Sequence, residues 1–98
     1  MVYKTSNATL EINQKKDVSD INFSYRGTYV KYGIKAIYDK INIYTKKPSL
    51  ALFYYKDDKK RIDVADMPAN VIVAFVKALE KAELTEVLDL FNKGVLLY

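Results

Sequence analysis

The chain has 98 residues, of which 50% are apolar and 29% charged, with a net charge of +4; that is the composition of a globular domain, and the length supplies one core rather than two. It contains no His and no Cys, which excludes Cys–His and Ser–His nucleophile systems, zinc sites built on thiolate or imidazole, and any disulfide framework. Gly27, Gly33 and Gly94 are scattered, so there is neither a P-loop nor a dinucleotide fingerprint, and the apolar run Val71–Val76 is far too short to span a bilayer.

These absences predict a single domain (1–98) that works by binding, not by catalysis, and that needs no cofactor. The opening Met1-Val2-Tyr3-Lys4-Thr5-Ser6 lacks the apolar stretch of a secretory signal, and with no cysteine the expected location is cytoplasmic. Asp57-Asp58 and Asp63…Asp66 are the one carboxylate set that could hold Mg²⁺. A solvated turn at Asp57-Asp58 and a helix N-cap at Asp66, just before Pro68, are the stronger readings, so no metal site is expected.

In chain order, Thr9–Asn13 alternates polar and apolar with period two and predicts a strand. A polar connection at Lys15-Lys16-Asp17 leads to a second strand, Ile21–Arg26, with Ile21, Phe23 and Tyr25 on one side, and Arg26-Gly27 forms a turn. Thr28–Tyr38 fits two periods. As a strand it gathers Val30, Tyr32, Ile34, Ala36 and Tyr38 on one face and Tyr29, Lys31, Gly33 and Lys35 on the other. As a helix it aligns Val30, Ile34, Ile37, Tyr38 and Ile41. Its β-branched and aromatic richness and the interior Gly33 favour the strand.

Beyond a turn at Asp39-Lys40, Ile41–Lys46 predicts a fourth strand, ended by Lys47-Pro48. Leu50–Tyr55 is apolar on both faces and reads as a central strand, which leaves the face of Tyr55 open. Lys56–Lys60 is a solvated turn, and Arg61–Val64 a short last strand. Asp66-Met67-Pro68 starts a long helix to about Glu83, apolar almost all round over Val71–Val76. A short helix, Thr85–Asn92, follows, with Thr85 as its N-cap and Gly94 as its stop. The fold class is therefore α+β: an antiparallel meander of five or six strands, then one long and one short helix. The apolar end Val95-Leu96-Leu97-Tyr98 and the all-round apolar helix predict a homodimer through Val71, Ile72, Phe75, Val76, Leu96, Leu97 and Tyr98.

Charge is divided along the chain. Met1–Arg61 carries a net +7 and Ile62–Tyr98 a net −3, so one electrostatic face should attract polyanions. With the apolar sheet face against the helix, the other face shows Asn22, Ser24 and Arg26, then Tyr29, Lys31 and Lys35, then Asn42, Tyr44 and Lys46, and finally Arg61. Tyr55 and Lys56 lie near the same edge, and Lys47, Lys59 and Lys60 ring the loops. Cations neutralise phosphates and flat rings stack on bases, which is what sequence-tolerant binding of single-stranded nucleic acid requires. No helix-turn-helix or basic recognition helix points to duplex reading.

Ala51–Tyr55, the charged turn Lys56–Lys60, Arg61–Val64 and the helix opened by Asp66 and Pro68 together resemble the strand–turn–strand–helix unit of the transcriptional-coactivator/Whirly-type single-stranded DNA-binding superfamily. The resemblance covers about a third of the chain. It implies a curved antiparallel sheet packed on a helix, assembly of copies through helices, and single strands bound on a basic, aromatic sheet surface. The chain departs from that group in its second helix with an apolar tail and in lacking Gly/Trp-rich strands. Its Lys-, Ile- and Tyr-rich composition also resembles small proteins of thermophilic archaea and their viruses. The same residues admit an alternative: surface lysines guard strand edges, tyrosines follow β-propensity, and a small viral or plasmid-type protein occupies a host protein through its apolar C-terminal region.

Overall fold

The computed structural model describes residues 2–41, 44, 46–57 and 60–97, and for 94–97 the backbone alone. Six strands form one antiparallel sheet in sequence order, and two helices follow. The strands are β1 (Val2–Lys4), β2 (Ala8–Lys15), β3 (Val18–Arg26), β4 (Lys31–Asp39), β5 (Ser49–Lys56) and β6 (Lys60–Ile62). A 3₁₀ turn at Val64–Asp66 leads into α1 (Ala69–Lys81), and α2 (Thr85–Leu97) ends the described chain.

The meander is closed by turns that satisfy their own backbone groups. The hydroxyl of Thr5 accepts from the amide of Ala8 at 3.1 Å between β1 and β2. Lys16-Asp17 is a two-residue link between β2 and β3, with Lys16 at φ 43°. At the next turn the Gly27 amide donates to Val30 at 2.8 Å. A side chain there would bring its Cβ to 2.9 Å from the Val30 carbonyl oxygen, so this close approach requires glycine. Beyond β4, Asp39 accepts from the amide of Ile41 at 3.1 Å, and Lys40 donates to Asp17 at 2.8 Å.

Register assigns every strand residue to a face. Phe23 stands opposite Leu10 and Ile34, and Ile34 opposite Tyr54; Ile21 stands opposite Ile12 and Ala36. These residues, with Tyr38, form the side covered by the helices. From α1 come Val71, Phe75 and Leu79, and from α2 Val87 and Phe91, all at most 2% exposed. The Phe75 ring lies 5.2 Å from Phe23 and 5.1 Å from Phe91, tilted on the first and edge-on to the second, the geometries that ring quadrupoles favour. The Tyr38 hydroxyl donates to the Glu86 carboxylate at 2.7 Å and ties α2 to β4.

Several expectations are corrected. Thr28–Tyr38 does contain a strand, but Ile41–Lys46 does not provide the next one. Asp39 already pairs with Ser49, so residues 40–48 bridge β4 and β5 as a connection; Asn42, Ile43 and Thr45 lie outside the described residues. The sixth strand is β1 instead. Asp66 is not the cap of α1: it sits in the 3₁₀ turn, and Pro68 precedes the first helical residue with no side-chain cap. Its fixed φ and missing N–H suit Pro68 to that place. Nor is Thr85 the cap of α2, because the Leu88 amide already bonds to the Leu84 carbonyl at 3.0 Å. The helix also runs through Gly94 to Leu97, which gives both helices 13 residues. Val71 and Phe75, expected between copies, are core residues of the single chain because the period of α1 turns them onto the sheet. Ile72 and Val76 are half-buried against that core and Val73 is 50% exposed, so the helix is not bare all round. Tyr98 and the side chains of Leu96 and Leu97 lie outside the described residues.

Two measurements test this arrangement. Glu83, the residue that ends the turn between the helices, has φ 60°, while the Leu84 amide bonds back to Leu79 at 3.0 Å. That position favours glycine, so Glu83→Gly should raise the unfolding free energy by about 0.5–1 kcal/mol in urea titration. The Tyr38 hydroxyl is pushed up to about 12, first by its hydrogen bond to Glu86, then by burial and the carboxylate charge. A raised acid holds its proton more tightly folded than unfolded, so its contribution is full below the ordinary value of 10.0 and lost as pH rises through about 12. Tyr38→Phe should therefore cost about 1 kcal/mol near pH 8, with the gap from wild type closing across that alkaline window.

Candidate nucleic-acid interface

The helices cover one side of the sheet, and the other side is an open surface whose residues follow from the register. Across it runs a row that takes one residue from each strand: Lys4, Thr9, Ser24, Gly33, Tyr55 and Arg61. At about 4.8 Å per strand the row is about 24 Å long. Cations stand at both ends, and small residues occupy the middle up to Tyr55. On one flank lies the parallel row of Glu11, Asn22, Lys35 and Phe53; on the other, Arg26 faces Lys31. Lys31 and Lys35 are four residues apart on one strand, so the flanks are about 13 Å apart. The result is a shallow trough across the strands with a cationic side chain on each rim, and it opens into a depression of about 240 Å³ above Gly33.

Two local contacts order the Tyr55 end. The Arg61 guanidinium lies over the Phe53 ring, 4.6 Å from its centroid, which holds a flexible cation flat on the sheet. Asp57, at φ 55° in the turn after β5, accepts from the Lys31 amide at 3.1 Å and donates its own amide to the Lys31 carbonyl at 2.6 Å. This fixes the backbone from which the Lys31 side chain rises.

The expected binding residues divide into three groups. Arg26, Lys31, Lys35, Tyr55 and Arg61 share the open face, together with Asn22 and Ser24. Lys56 and Lys60 pair with each other at the same end, but Lys56 also pairs with Tyr32 and so points to the helix side. Tyr29 stands in the adjoining turn, 98% exposed, and Lys59 lies outside the described residues. Tyr44, Lys46 and Lys47 belong to the connection between β4 and β5, at the opposite end of β4. The length of that strand, about 25 Å, separates them from the turn that carries Tyr29. They do not join the trough, because no strand forms there to carry them onto the face.

Lys4, Thr9, Glu11 and Phe53 belong to the surface and were not foreseen as part of it. Lys4 sits on a strand too short to show a period. Phe53 sits in a run apolar on both sides, where only the pairing of Gly33 with Tyr55 reveals the face. Among the described residues, no group of three acidic side chains comes close enough to hold a metal ion, and no helix is long and apolar enough to cross a membrane. Comparison with protein-family models, with curated proteins and with solved structures finds no match.

Proposed function

We propose that the protein is a non-catalytic module that binds single-stranded nucleic acid across the open face of its sheet. The observation that carries this reading is the row from Lys4 to Arg61, with Lys35 on one rim and Arg26 and Lys31 on the other. Spaced cations neutralise successive phosphates, the small residues let a strand approach the sheet, and Tyr55 offers a stacking face. Width supports a single strand over a duplex: the major groove of B-DNA alone is about 12 Å across, so a duplex does not settle between rims about 13 Å apart. The partial likeness to the Whirly-type superfamily points to the same surface.

A second reading has its own support. Among the described residues β6 pairs only with Tyr54, Tyr55 and Lys56, so Leu50–Phe53 carries no strand on its outer side. Beside it lies a groove of about 500 Å³, lined in part by Leu52, Ile62, Val64 and Leu90. Such an edge is suited to adding a strand from another protein or from a second copy. A homodimer would then form here and not through Val71 and Phe75.

Fluorescence anisotropy separates the two. Wild type should bind a 20-base single strand more tightly than the matching duplex, and log affinity should fall linearly with log salt. Arg26→Ala and Lys35→Ala should each flatten the slope by about 0.7, the share of one phosphate on a single strand. Lys46→Ala, at the far end, should leave it unchanged. No binding at about 50 mM salt and tens of micromolar protein would end the nucleic-acid reading. Light scattering that gives twice the mass of one chain, reduced to one by Leu52→Lys, would favour the strand edge.

A further inference from the structure

Gly33 lies in the interior of a central strand, where glycine weakens the sheet, yet neither conformation nor packing demands it. Its φ is not positive. A Cβ built on it would meet only the Phe23 carbonyl oxygen at 3.6 Å and the Tyr55 Cβ at 3.8 Å, which are ordinary contacts. What the missing side chain does provide is the bare floor of the depression on the open face. Glycine in a strand often marks such a place, where a ligand comes close to the backbone.

The walls narrow the ligand. Tyr55 pairs with Gly33 and stands on one side as a flat ring. Asn22 and Lys35 pair with each other on the rim, and Glu11 pairs with Asn22 one strand further out. Among these polar groups, Lys35 suits a phosphate, while Asn22 can both donate and accept. The Glu11 carboxylate repels phosphate and only accepts. The part of a ligand that reaches it is therefore uncharged and carries N–H donors, as the exocyclic amine of cytosine or adenine does; a carboxylate accepting from the cytosine amine is a known pairing. Thymine and uracil present a carbonyl oxygen at the same place.

We infer that the depression above Gly33 is a seat for one amine-bearing nucleobase, which lies on the bare backbone against Tyr55 with its amine directed to Glu11 and Asn22. The inference rests on the nucleic-acid reading and adds base preference to it. A module held by phosphates and stacking alone has little such preference; one seated base at Glu11 introduces it.

The test uses the full chain with 20-base oligo(dC) and oligo(dT) in anisotropy titrations at fixed salt. Wild type should bind oligo(dC) roughly tenfold more tightly, the effect of one well-placed polar pair. Gly33→Val, with β-branched carbon in the floor, should melt no lower than wild type, because valine suits a strand. It should also bind oligo(dC) roughly tenfold more weakly, by loss of one stacked base, and bind the two oligonucleotides equally. Gly33→Ala, the smaller filling, should move both quantities in the same direction and serves if the valine variant does not fold. Glu11→Gln removes a negative charge from the trough, so it should tighten both oligonucleotides while bringing their ratio towards one. Equal wild-type binding of oligo(dC) and oligo(dT), or a folded Gly33→Val that keeps the wild-type ratio, would overturn the seat and leave the nucleic-acid reading standing. Wild type that binds neither oligonucleotide would overturn both.

Discussion

Phe75 is the contact on which the architecture depends. Its ring is 0% exposed and meets Phe23 of the sheet on one side and Phe91 of α2 on the other. A six-stranded meander buries nothing by itself, and a small domain has little apolar surface to spare. One large side chain shared by three elements fixes where α1 lies on the sheet and where α2 lies on α1. The Schellman-like turn at Glu83 folds the second helix back, and the Tyr38–Glu86 hydrogen bond fastens its first turn to β4. Both helices are thereby committed to the same side of the sheet.

That commitment produces the open face. With only two helices after the sheet and both on one side, the other side meets solvent, and alternation places Lys, Arg, Asn, Ser and Thr there. The division of charge along the sequence becomes a division between layers. The net +7 of residues 1–61 belongs to the strands and their turns, and the net −3 of residues 62–98 mostly to the helices. At physiological salt, charges about 8 Å apart or more are largely screened from each other in water. The helix layer therefore weakens the positive field of the open face very little, although the net charge of the whole chain is modest.

The two long alternating strands and the apolar periods of the helices are legible in the sequence because each is a local pattern. Ile21-Phe23-Tyr25 needs no partner to show its face, and the wide apolar stripe of α1 marks its helix. Errors fall where a local pattern is overruled. Ile41-Asn42-Ile43 alternates like a strand, but β4 runs on to Asp39 and pairs it with Ser49, which leaves residues 40–48 as a connection. Gly94 looks like a stop, and its helix passes through it. The binding surface is harder to read, since a one-residue change of register exchanges the two faces. Arg26, Lys31 and Lys35 are legible as a cluster because they flank one turn. Tyr44 and Lys46 were grouped with them on the strength of a strand that does not form.

The row from Lys4 to Arg61 could not have been read in any window, because it draws its six members from six strands spread over 58 positions of the chain. This has a thermodynamic consequence. A site built on one loop can survive when the rest of a protein loosens, but a row across the whole meander exists only when every strand is paired. A ligand that fills it binds the native state and not the unfolded chain, and so stabilises the domain by about 2.7 kcal/mol at a hundred times its dissociation constant. That is comparable with the burial of one large apolar side chain. The glycine and small polar residues along the row give the free sheet little cross-strand packing on that face, and an occupant lying across it supplies contacts that the side chains leave out.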